Sequence, residues 1–185
     1  MNVPRETNSL IAKEDCVLVV IDVQEKLMPA ISNREMIIEN TIKLVKFARM
    51  VGVPIILTEQ EKLGPTVLAL KKELSGILPV KKLHFNCFFS NDFTDQVERS
   101  RKNTIILAGV EAHICIAQTA LSALPRFTVH IISDAISSRT QENLCVSIER
   151  MRQSGVIISS TEMFIYELLQ KAGTDEFRAV LQLVK

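Results

Sequence analysis

With 185 residues, 47% of them hydrophobic and 23% charged, the chain has the length of one domain and the composition of an ordinary globular protein. Its net charge of +1 excludes the electrostatic footprint of a nucleic-acid or anionic-membrane binder, because lysines and arginines are scattered or at most paired, as in Lys71-Lys72 and Lys81-Lys82. No apolar run approaches the ~20 residues needed to span a bilayer.

Met1 to Asp15 is polar and lacks the apolar core of a signal peptide, so it reads as an N-terminal extension over residues 1–14. The four cysteines, Cys16, Cys87, Cys115 and Cys145, show no CxxC or metal-ligand spacing. A reducing, cytoplasmic setting with no disulfides and no bound metal or cofactor is the expectation.

The elements alternate along the chain. Val17 to Ile21 is apolar, β-branched and suited to burial on both faces, which predicts a central parallel strand ending at Asp22. Glu35 to Met50 carries Met36, Ile37, Leu44, Val45 and Phe47 on one helical stripe, and Gly52-Val-Pro54 stops it. A strand follows at Ile55–Leu57, a helical piece capped by Thr66 runs to Leu74, and a short strand covers Ile77–Lys82. Phe93–Arg101 is predicted helical, Thr104–Ala108 a strand, and Gly109 a tight turn into a helix over about His113–Leu124. A strand at Val129–Ile132, a helix at Gln141–Gln153 and a strand at Val156–Ile158 come next. The tail over 161–185 reads as two helices separated at Gly173-Thr174. Strand–helix alternation implies right-handed βαβ units, and hence an α/β fold of one domain over 1–185 with helices on both faces of a parallel sheet.

Chemistry in such a sheet belongs at the carboxyl ends of its strands. The polar residues there are Asp22 and Gln24, Thr58-Glu59-Gln60, Lys82, the Gly109-to-Cys115 turn, and Asp134. Cys115 opens a helix, where free N–H groups and the dipole favour a thiolate and can hold an oxyanion. It is equally well read as a small core residue. Asp22 is either the base that takes the thiol proton or a turn-capping carboxylate. Lys82 is either the balancing charge or a surface lysine, and strand position alone does not separate it from Lys81. Gln24 and Phe85 are candidate pocket residues, with turn and core roles as their alternatives. Asp134 either orients loops around the pocket or caps a turn.

Taken together, Val20-Ile-Asp22-Val-Gln24, Lys82-Leu-His-Phe85-Asn-Cys87-Phe88 and Gly109-Val-Glu111-Ala-His-Ile-Cys115-Ile-Ala-Gln-Thr119 resemble the isochorismatase-like cysteine hydrolases. The likeness continues through Asp134-Ala-Ile-Ser-Ser-Arg139-Thr and Thr161-Glu-Met-Phe, and Thr58-Glu-Gln60 points to the isochorismatase-domain-containing subgroup. The resemblance implies a three-layer α/β/α fold with a six-stranded parallel sheet and an Asp22–Lys82–Cys115 triad. It selects Lys82 over Lys81, since the family's lysine stands three residues before an aromatic, here Phe85. It also implies a cis Val110–Glu111 peptide, with the Glu111 and Cys115 N–H groups forming an oxyanion hole.

Nicotinamidases of this family carry an Asp-x-His…His metal site. Here that region holds Glu59, Gln60 and Glu61, and no histidine precedes His84, so no metal is expected. True isochorismatases lack a cysteine at the nucleophile position, so Cys115 argues against vinyl-ether hydrolysis. The implied activity is cleavage of an amide or other C–N bond in a small molecule through a thioester. The alternative is a catalytically silent scaffold that keeps the fold. Assembly as a homo-oligomer is also implied, and the apolar tail helices either supply the interface or fold back on the sheet.

Overall fold

The computed structural model describes residues 10–184, so residues 1–9 of the expected N-terminal extension and Lys185 lie outside the described residues. Strand β1 (Cys16–Ile21) is fully buried along its length, as expected for a strand covered on both faces. It is followed by α1 (Arg34–Val51), β2 (Ile55–Gln60), α2 (Leu68–Glu73), β3 (Val80–Lys82), α3 (Asn91–Ser100) and β4 (Thr104–Val110). The second half comprises α4 (Ala117–Ala123), β5 (Thr128–Ser137), α5 (Gln141–Gln153), β6 (Ile157–Ser159), α6 (Thr161–Leu169) and α7 (Asp175–Val184).

The six strands are parallel in the order β3-β2-β1-β4-β5-β6. The chain runs outward to one edge from β1 and to the other from β4, so the topological switch point lies between these two strands. Alternation along the strands divides the core. Leu18, Val20, Ile106 and Ala108 face α1, α2, α6 and α7, whereas Val17, Val19, Ile105 and Leu107 face α3, α4 and α5. The tail folds back: Val180 of α7 is buried in the layer that holds Phe47 of α1 and Phe164 of α6. Ahead of β1, Ile11 is buried and its N–H donates to Glu167 on α6 (3.0 Å).

Several elements differ from expectation. Thr66 does not cap α2; its N–H and hydroxyl both bond Glu59 (2.7 Å each). Strand β5 runs on to Ser137, five residues beyond its apolar core at Ile132, because a register shift opposite Leu107–Gly109 carries it alongside Val110. Asp134 thus lies inside β5, where its carboxylate accepts from the Thr161 N–H (2.8 Å) and hydroxyl (3.0 Å) at the start of α6.

Gly109 shows why the switch point needs a glycine. Its φ is +115°, and a Cβ there would overlap the Ile21 backbone on β1. Close approach of β4 to the end of β1 brings the turn after β4 beside Asp22.

Candidate active site

Asp22 follows β1 in the left-handed region (φ 54°), a conformation that Asp and Asn tolerate better than most residues. Its N–H reaches the Thr58 carbonyl (3.3 Å) and its own carbonyl accepts from Gln24 N–H (2.8 Å), so the chain turns sharply and the carboxylate lies over β2. There the Thr58 hydroxyl donates to Asp22 Oδ1 (2.7 Å). Strand periodicity places Thr58 and Gln60 on one face of β2 and Glu59 on the other.

Lys82 ends β3, in register with Gln60. Its ammonium donates to Asp22 Oδ2 (2.6 Å), Gln60 Oε1 (2.8 Å) and Cys115 Sγ (3.7 Å). An ammonium has three N–H bonds, and here each has a partner. Lys81 points the other way and pairs with Glu59. Asp22 is fully buried, Lys82 is 2% exposed and Cys115 is 6% exposed, so the charges interact in a setting of low dielectric.

Cys115 stands in a wide π turn, Ala112–Ile116, that leads into α4. The Glu111 carbonyl accepts from Ile114 N–H (3.1 Å) and Ile116 N–H (3.2 Å), the two residues that flank Cys115. The Val110–Glu111 peptide is cis. Position at a helix start was expected to favour the thiolate, but burial and the adjacent Asp22 carboxylate push the Cys115 thiol up, while Lys82 pulls it down. For Lys82, burial disfavours the charge, yet attraction to Asp22, Cys87 and Cys115 outweighs it and holds the ammonium above the ordinary lysine value. Asp22 and Lys82 thus form a buried ion pair beside the Cys115 thiol.

The other sequence candidates are placed as follows. Gln24 is fully buried; its amide donates to the carbonyls of Gln60 (2.9 Å) and Gly64 (2.6 Å) and accepts from Gln60 N–H (2.8 Å). It braces the loop beneath the Lys82–Gln60 contact. Phe85 is half exposed after β3, whereas Phe88 packs edge-on against Phe93 in the core. Cys87 is fully buried with its N–H on the Thr119 hydroxyl (3.1 Å), and burial pushes its thiol up to about 12. His113 Nδ1 contacts Ser138 Oγ (2.9 Å). Among the described residues, no group of three or more His, Cys, Asp or Glu converges as metal ligands, and no helix is long and apolar enough to cross a membrane.

Sequence reasoning missed the individual roles of Thr58, Gln60 and Arg139. The first two stood in a polar trio at a strand end, and period-2 alternation was the signal that pairs them on one face. Arg139, just past the end of β5, reaches Glu111 at the end of the neighbouring β4, a contact without any local signature.

Comparison with known proteins identifies the fold and the family. An isochorismatase domain model matches residues 16–163. Isochorismatase domain-containing protein 2A of Mus musculus is 36% identical, over 100% of this chain and 90% of its own length. The MAR1 ribonuclease structure from Caenorhabditis elegans superposes with a TM-score of 0.88 at 32% identity, covering 95% of this chain and 92% of that one. The YcaC gene product of Escherichia coli, an octameric hydrolase of unknown specificity, shares the fold with a TM-score of 0.88 at 22% identity, covering 98% and 92%. The chain belongs to the isochorismatase family, a family of hydrolase fold.

Proposed function

We propose that the chain is a cysteine hydrolase that cleaves an amide or other C–N bond of a small molecule through a thioester on Cys115. The observation that carries this reading is the Lys82 ammonium held between the Asp22 carboxylate (2.6 Å) and the Cys115 sulfur (3.7 Å). As Cys115 Sγ bonds to the carbonyl carbon, its proton passes to Asp22, whose carboxylate shares the Lys82 ammonium with the sulfur. Lys82 stays charged and balances whichever neighbour is anionic. The Glu111 and Cys115 N–H groups take the oxyanion. Collapse breaks the C–N bond, and Asp22 returns its proton to the departing nitrogen. Water then attacks the thioester, giving up a proton to Asp22, and the acid product leaves as the thiol is restored.

The near-complete burial of Cys115, 6% exposed, favours a small substrate over a polymer. A silent scaffold is the weaker reading, because a buried ion pair is seldom needed for stability and apolar residues of similar volume serve a fold as well or better. We further propose a cytoplasmic homo-oligomer, in keeping with cysteine spacings that suit no disulfide framework and with the octameric Escherichia coli neighbour. A panel of small amides, ureides and carbamates tests the activity: turnover by wild type and none by Cys115→Ala supports it, and equal turnover by both rejects it.

A further inference from the structure

Glu111 is 3% exposed, and its carboxylate takes three hydrogen bonds from a single residue. Arg139 donates its backbone N–H (3.0 Å) and Nε (3.1 Å) to Oε2, and Nη2 (2.7 Å) to Oε1. A guanidinium fork combined with the same residue's amide fixes both the position and the plane of the carboxylate.

The donor is itself fastened. Ser32 N–H reaches the Ser138 carbonyl (3.0 Å), the Ser32 hydroxyl reaches the Arg139 carbonyl (3.2 Å), and the Ser137 hydroxyl returns to the Ser32 carbonyl (2.7 Å). Ser138 Oγ also meets His113 Nδ1 (2.9 Å). Glu111 and His113, on either side of Ala112 in the turn that presents Cys115, are thus tied to one strap of three residues, Ser137–Ser138–Arg139. The sheet already pairs Val110 with Ser137 at this point, so the backbone ladder is complete without the clamp.

We propose that Arg139 is a positioning residue for the hydrolysis described above: by locking the Glu111 side chain it aims the Glu111 backbone N–H at the oxyanion. The inference rests on the cysteine-hydrolase reading. Oxyanion donors act only within about 2.7–3.1 Å of the developing charge, and a misplacement of about 1 Å can cost roughly 10²-fold in rate.

The test uses p-nitrophenyl acetate with wild type, Arg139→Gln and Arg139→Lys. The Cys115 sulfur bonds to the acetyl carbon, the ester C–O bond breaks, p-nitrophenolate departs, and the thiol proton goes to Asp22. Iodoacetamide at pH 9 is the control, because displacement of iodide at a saturated carbon uses the same thiol and forms no oxyanion. The expected result is a fall in acetylation of at least about tenfold in Arg139→Gln and a smaller fall in Arg139→Lys, with unchanged alkylation. Equal acetylation in all three proteins would overturn the proposal, as would acetylation and alkylation falling together, which marks a role in folding alone. A wild type that alkylates but never acetylates on Cys115 would instead overturn the hydrolase reading, and the clamp's role with it.

Discussion

Lys82 of β3 and Asp22 at the end of β1 meet at 2.6 Å although the whole of β2 lies between their strands. The lysine spans that gap because Thr58 and Gln60 of β2 turn polar groups to the same side, one onto Asp22 and the other onto Lys82. Each charge makes the other's burial tolerable. Removing one partner strands the other, whereas removing both does not.

Asp22→Asn and Lys82→Met should therefore each lower unfolding stability by about 3 kcal/mol, and the double variant should lose clearly less than the sum. Asparagine keeps the left-handed backbone at residue 22 acceptable, so that variant isolates the charge. Urea denaturation of the four proteins measures the coupling. Additive losses would mean that the pair does not act as a unit.

Cys115 should alkylate slowly at neutral pH. Burial and the Asp22 carboxylate push its thiol up, so the reactive thiolate is scarce at pH 7 and grows as pH rises beyond the ordinary cysteine range. Exposed Cys145 should react first with iodoacetamide at pH 7, with Cys115 following only at alkaline pH, as read by peptide mass mapping. Asp22→Asn removes the largest raising influence after burial and should shift the Cys115 profile to lower pH.

His130 on β5 is 3% exposed, its Nδ1 has no hydrogen-bond partner, and burial lowers its pKa from 6.5 to about 4. Because the folded value lies below the unfolded one, the unfolded chain binds the proton first. The stabilisation is complete above about 6.5 and drains away as pH falls toward about 4, a loss of roughly 3 kcal/mol. Urea midpoints over this window should fall steeply in wild type and less steeply in His130→Val, which keeps a β-branched residue in the strand. Parallel curves would show that His130 is not the group responsible.

The kinship with a protein called a ribonuclease makes RNA the first polymer to test. With a net charge of +1 and Cys115 only 6% exposed, the chain should leave single-stranded RNA intact. Electrophoresis of an end-labelled oligoribonucleotide with wild type and Cys115→Ala checks this. Cleavage that depends on Cys115 would contradict the small-molecule reading.

Much of the fold is legible from residue pattern. Runs such as Cys16–Ile21 and Thr104–Val110 are apolar throughout because they are covered on both faces, and glycine or proline marks many of their ends. What local pattern cannot carry is register. The extension of β5 to Ser137 follows an irregularity opposite Leu107–Gly109, and the Glu111–Arg139 clamp depends on it. The π turn around Cys115 likewise arises from bonds converging on the Glu111 carbonyl, not from helix propensity. In the site, Asp22 and Cys115 stand out in sequence as polar or reactive residues at strand ends. Family resemblance selects Lys82 over Lys81, and in the fold the two lysines pair on opposite sides of the strand, Lys82 with Asp22 and Lys81 with Glu59.

Mass spectrometry of the intact protein, quenched in acid during turnover of an activated ester or amide, tests the central chemistry most directly. The proposed mechanism predicts one acyl group per chain, mapped to Cys115, formed by wild type and lost when hydroxylamine cleaves the thioester, with none on Cys115→Ala. Continued turnover by Cys115→Ala at the wild-type rate, with no acyl group on any cysteine of wild type, would contradict it.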